Sequence, residues 1–240
     1  MILYDDVISS WLSTVSAFNP KELKVDLNES WKDAGKANFI LPQDSAFELG
    51  GKTGTLSAIG GTAVTSNKEF VSRDQILLLG KDLCDLKNDS PYARLSVCLV
   101  DDSELGEGSE LFNTVKAIDY TRYHFNPEGF MMRVSSAQKR EAVRISKAAV
   151  KNHISFRNAG NLMIKAFHKN PKVKAVKIIY IVEPDFDYTA IAESVKQCDL
   201  ITKTIDHISQ TAIMESSSCG LQKVCDEVEG MRELHFKNRE

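Results

Sequence analysis

Residues 173–184 read VKAVKIIYIVEP, and this run decides the fold. Its β-branched and aromatic residues make it the strongest strand in the chain, and Pro184 closes it because proline cannot donate to a sheet ladder. Downstream, DYTAIAESVKQCDLITKTIDHISQ is a long helical stretch. Upstream, SKAAVKNH and SFRNAGNLMIKAFHKN give two short helices. Ser155 or Asn158 suits the cap of the second, whose core face is Leu162, Met163, Ile164 and Phe167. Further back, FMMRV (130–134) reads as a strand, while REAVRI (140–145) fits either a paired strand or the start of a helix. DDSELGEGSELFNTVKAIDYTRYHF turns helical from about Ser109, with Leu111, Val115 and Ile118 on one face. YARLSVCLV (92–100) and QILLLG (75–80) are strands, and the unbroken apolar end of the first suits a central position. KELKVDL, ANFILP and SAFELGG are shorter strands, and the Gly-, Thr- and Ser-rich segment 50–66 suits a hairpin or loop. Strands and helices mix without regular alternation. That predicts an α+β fold over 1–240 as one domain, with a mixed, largely antiparallel sheet and helices packed on one face. An amphipathic helix over 1–18 and a helical region with a tail over 187–240 complete it.

Composition narrows the class. The 240 residues are 42% hydrophobic and 26% charged, with six prolines, as in an ordinary globular protein. At the N-terminus Val7, Ile8, Trp11, Leu12 and Val15 recur at helical spacing, and Asp5 and Asp6 interrupt what would be the apolar core of a signal peptide. No apolar run approaches the ~20 residues that span a bilayer. A cytoplasmic protein without membrane contact is expected. The five cysteines (84, 98, 198, 219 and 225) then read as reduced thiols, Cys84 and Cys98 as small buried hydrophobes.

Few motifs carry chemistry. GGKTGT (50–55) lacks the leading glycine of a phosphate loop, whose place is taken by Ala46, and reads as a tight turn. The histidines match no metal spacing, and Cys219-x5-Cys225 is the closest cysteine pair. One stretch stands apart. MMRVSSAQKREAVRISKAAVKN (131–152) holds six basic residues (Arg133, Lys139, Arg140, Arg144, Lys147, Lys151) against one acid, Glu141, in a chain whose net charge is −3. As a strand or as a helix, 140–145 places Arg140 and Arg144 on one side. Paired guanidinium forks bind phosphate or carboxylate, and Arg122, His124 and Arg157 flank them in sequence. Nucleic acid is disfavoured, because the net charge is negative and aromatics do not alternate with the basic residues.

The order ILLLGKDLCDL, PYARLSVCLV, TRYHF, GFMMR, AVRISKAAVK and VKAVKIIYIVE resembles a known region. It is similar to the central domain of the acetyl-CoA synthase subunit of the carbon monoxide dehydrogenase/acetyl-CoA synthase complex. The likeness spans 70–185, more weakly 40–70. It rests on Gly80-Lys81-Asp82-Leu83, Arg122-Tyr123-His124-Phe125, Gly129-Phe130-Met131 and Val143-Arg144-Ile145-Ser146-Lys147. In that family the following domain holds a nickel–iron–sulfur centre on closely spaced cysteines. Cys219 and Cys225 do not supply that set, so no metal cluster is expected on this chain. The family's central domain carries an arginine-rich surface with a tryptophan, linked to coenzyme A. Here Glu141-Ala142-Val143 stands where the tryptophan would be.

The resemblance implies a stand-alone binding or docking module of anaerobic one-carbon and corrinoid metabolism. Its site would be Arg122, His124, Arg133, Arg140, Arg144, Lys147 and Arg157, with no catalytic residue assigned. The ligand would be coenzyme A, or an acidic surface on a corrinoid or ferredoxin-like protein or on another subunit of the complex. The alternative is one piece of a split CO-methylating acetyl-CoA synthase whose metal centre lies on another chain. A third reading has the patch pair with the chain's own acidic helices or with a second copy in a homo-oligomer.

Overall fold

The computed structural model describes residues 3–28, 31–52, 55–135 and 140–210. Lys139, Cys219, Cys225 and the tail expected beyond Gln210 lie outside them. In chain order the helices are α1 (Asp5–Ser16), α2 (Ser109–Tyr120), α3 (Lys147–Lys151), α4 (Phe156–Phe167) and α5 (Tyr188–Gln210). The strands are β1 (Lys21–Leu23), β2 (Ser45–Leu49), β3 (Ala58–Thr65), β4 (Gln75–Leu79), β5 (Tyr92–Val100), β6 (Phe130–Ser135), β7 (Arg140–Ser146) and β8 (Val173–Ile181). A 3-10 turn, Thr121–His124, continues α2.

The fold is α+β. A five-stranded mixed sheet has the order β1-β4-β8-β5-β3, and a smaller antiparallel sheet has the order β2-β7-β6. Four of the six strand pairings are antiparallel, so the sheet character is as the sequence predicts. VKAVKIIYI pairs with β4 on one side and β5 on the other, a central strand.

Helices cover both faces of the large sheet, where the sequence suggested one. The cause is β5, whose nine residues are all buried, so that neither face tolerates water. Successive glycines of β3 show the two sides. A Cβ on Gly61 would meet Val195 of α5 and Trp11 of α1, whereas one on Gly60 would collide with the Glu141 carboxylate of the small sheet. α4 shares the second side, where Ser96 of β5 donates to Met163 Sδ at 3.9 Å.

Many local signals hold, but ANFILP (37–42) forms no strand, and the second half of the expected hairpin or loop 50–66 is β3, held in the large sheet by its pairing with β5. α1 buries Val7, Ile8, Trp11 and Val15, and Trp11 Nε1 donates to Ser194 Oγ of α5 at 2.8 Å. Ser155 is the cap of α4, in a reciprocal capping box with Asn158. Segment 140–145 is extended. Val143 and Ile145 point into the core, and Arg140, Ala142 and Arg144 point to the other side. Cys84, Cys98 and Cys198 are free thiols, and burial pushes Cys98 and Cys198 well above the usual thiol range. Among the described residues no helix is long and apolar enough to cross a membrane.

Candidate functional site: a cationic cleft beside the small sheet

The charges of 131–152 divide between two places, because β7 alternates. The inward acid, Glu141, is 1% exposed, and it receives Arg94 of β5 through both carboxylate oxygens, Nε at 2.5 Å and Nη2 at 2.7 Å. Arg94 Nη1 also donates to Gly61 O at 3.1 Å and Ser96 Oγ at 2.6 Å, so its guanidinium is well satisfied without water. Burial alone would lower the Arg94 pKa, but Glu141 outweighs it and the net shift is upward. Gly60 is the notch that admits this carboxylate between the sheets.

On the outward face, Glu48 of β2 is completely buried and takes two arginines. Arg144 Nε donates to its Oε1 at 3.0 Å, and Arg133 Nη2 bonds its Oε2. Arg144 Nη1 also donates to Ile40 O at 2.7 Å, while Arg140 Nη2 donates to Gly50 O at 2.6 Å. Burial lowers the Arg133 pKa, and Glu48 works against that. Lys147 Nζ donates to Gln43 O at 2.9 Å. Much of the basic stretch therefore fastens the small sheet to the segment that crosses it.

Two of the seven candidate residues meet in a cleft. It has a volume of about 600 Å³ and lies between the start of β3, the end of α2 with its 3-10 turn, the ends of β6 and β7, and α5. Arg122 and Arg140 both line it. Arg133, Arg144, Lys147, His124 and Arg157 do not. Arg133 and Arg144 belong to the Glu48 cluster, His124 is exposed on the turn, and Arg157 sits in the first turn of α4.

The sequence reading missed the cleft's other cations, Lys116 of α2 and Lys196 and Lys203 of α5. Among the described residues five cations thus stand against three acids, Asp119, Glu141 and Asp199. Glu141 is already neutralised by Arg94. The signal was present in α5, where Lys196, Asp199 and Lys203 fall at helical spacings of three and four.

Arg122 organises the floor. Its Nη2 donates to Asp119 Oδ2 at 3.1 Å and its Nη1 lies 3.8 Å from Glu141 Oε2, so it joins the cleft to the buried pair. Its Nε is buried without a partner. Burial raises the Asp119 pKa and Arg122 pulls it back, leaving a net rise. Protonating Asp119 removes a negative charge next to Arg122. Affinity for an anion should therefore increase as pH falls through the Asp119 titration. Asp119→Asn should bind an anion about three- to tenfold more tightly at neutral pH, the effect of one nearby charge in partly screened surroundings. The same variant should flatten the pH dependence, which calorimetric titration from neutral pH down towards the ordinary carboxylate range would check.

The geometry suits binding better than covalent chemistry. Cys198 lines a narrow cavity adjoining the cleft and donates to Thr62 O at 3.2 Å, with burial opposing its ionisation. Among the described residues no group of three His, Cys, Asp or Glu is placed to hold a metal ion. No family model and no curated protein matches the chain.

Proposed function

We propose that this chain is a binding module whose cleft holds an anionic ligand, coenzyme A, as a relative of the acetyl-CoA synthase central domain in cytoplasmic one-carbon and corrinoid metabolism of an anaerobe. The observation that carries this reading is the convergence of Arg122, Arg140, Lys116, Lys196 and Lys203 on one concavity of about 600 Å³. That volume falls within the usual range of about 300–1,000 Å³ for cofactor and small-ligand sites. A concave site favours a small molecule over the flatter acidic surface of a partner protein.

The resemblance supports the identity of the ligand, and the cleft supports its charge. Arg122 belongs to both, since Arg122-Tyr123-His124-Phe125 is among the segments that carry the likeness. Calorimetric titration with coenzyme A should give saturable binding that weakens as salt rises, because several cations are exposed enough to be screened. Binding absent at millimolar ligand would remove coenzyme A and leave the cleft to a protein partner.

A further inference from the structure

The cleft's rim carries two tyrosines that the fold does not use. Tyr120 is 57% exposed and Tyr123 41%, although large aromatics ordinarily bury most of their surface. They follow one another at i, i+3 across the end of α2, with ring centroids 5.0 Å apart and planes tilted by 49°. The Arg122 guanidinium lies over the Tyr123 ring, 5.2 Å from its centroid. Both rings line the concavity that holds Lys116, Lys196 and Lys203. Aromatic faces at the mouth and ammonium groups along the wall are the two halves of a nucleotide site.

We propose that Tyr120 and Tyr123 form a stacking platform for an aromatic base, so that the cleft selects nucleotides carrying two or more phosphate charges. The inference rests on the reading of the cleft as an anion site and adds which part of the ligand is recognised. The base lies against the tyrosine rim, and the phosphates lie between Lys116 of α2 and the lysines of α5. The narrow cavity near Cys198, of about 20 Å³, is too small for either part.

The test uses the whole chain and three probes: pyrophosphate, adenosine and ADP. Pyrophosphate reports the anion site alone, and the ratio of ADP to pyrophosphate affinity reports the platform. ADP should bind about tenfold or more tighter than pyrophosphate, the size of one base–aromatic stack. Tyr120→Ala/Tyr123→Ala should bring ADP down to the pyrophosphate level and leave pyrophosphate unchanged. Tyr120→Phe/Tyr123→Phe should keep the preference, because stacking needs the ring and not the hydroxyl. Adenosine should bind far more weakly than ADP. Pyrophosphate binding with no preference for ADP, or a preference that survives the alanine variant, overturns the platform while the anion site stands. Failure of both pyrophosphate and ADP to bind overturns both.

Discussion

Replacing Glu141 by Gln should destabilise the protein by about 3–5 kcal/mol, the loss typical of breaking a buried ion pair by removing one partner. Arg94 is completely buried, and no water can replace the two bonds that Glu141 accepts from it. Glutamine keeps the shape but offers one oxygen where two are needed, and it turns an amide towards a guanidinium. The two sheets and the cleft floor meet at this carboxylate, so the whole fold should respond. In urea the unfolding midpoint should fall sharply with little change in slope. A double variant, Arg94→Met/Glu141→Leu, should recover much of the loss, since an apolar pair of similar size removes both charges. A loss under about 1 kcal/mol in the single variant would show that Arg94 finds another partner or reaches water.

The second large effect is expected at Glu48. Glu48→Ala strands the Arg144 and Arg133 guanidiniums, whose side chains are 12% and 31% exposed. These arginines can regain some hydration, so the expected loss is smaller, about 2–3 kcal/mol. It should be concentrated in the small sheet. Amide exchange should accelerate over β6, β7 and the segment around Ile40 that Arg144 holds, ahead of β5 and β8. Uniform acceleration across both sheets would contradict the view that this cluster serves the small sheet.

Both effects come from residues that a local reading of 131–152 could not place. The stretch looks basic because its counter-charge is remote. Glu48 precedes Arg133 by 85 residues and Arg144 by 96, and Arg94 precedes Glu141 by 47. Counting charges in a window sees an excess, whereas the sheets hold a neutral Arg94–Glu141 pair, two arginines sharing Glu48, and the remaining cations in the cleft. Segment 140–145 was ambiguous for the same reason. Ala142, Val143 and Ile145 fit either period, and pairing with β2 and β6 settles the matter through distant contacts.

Where the deciding interaction was local or strongly patterned, the sequence was readable. The Ser155 cap, the buried stripe of α1 and the central strand VKAVKIIYI needed no long-range information. Arg122 and Arg140 were in view as site residues. Lys116, Lys196 and Lys203 lie outside the basic stretch in sequence, and only the packing of α5 against β3 and α2 brings them to the cleft.

The most direct measurement compares coenzyme A titrations of the wild-type chain, Arg122→Ala and Arg157→Ala under the same low-salt buffer. Arg122 lines the cleft and Arg157 does not, though both flank the basic stretch in sequence. The cleft predicts saturable binding that Arg122→Ala weakens at least tenfold, a loss of about 1.4 kcal/mol. Arg157→Ala should bind as the wild type does. Equal loss in both variants, or loss only in Arg157→Ala, would place the ligand elsewhere and contradict the cleft as its site.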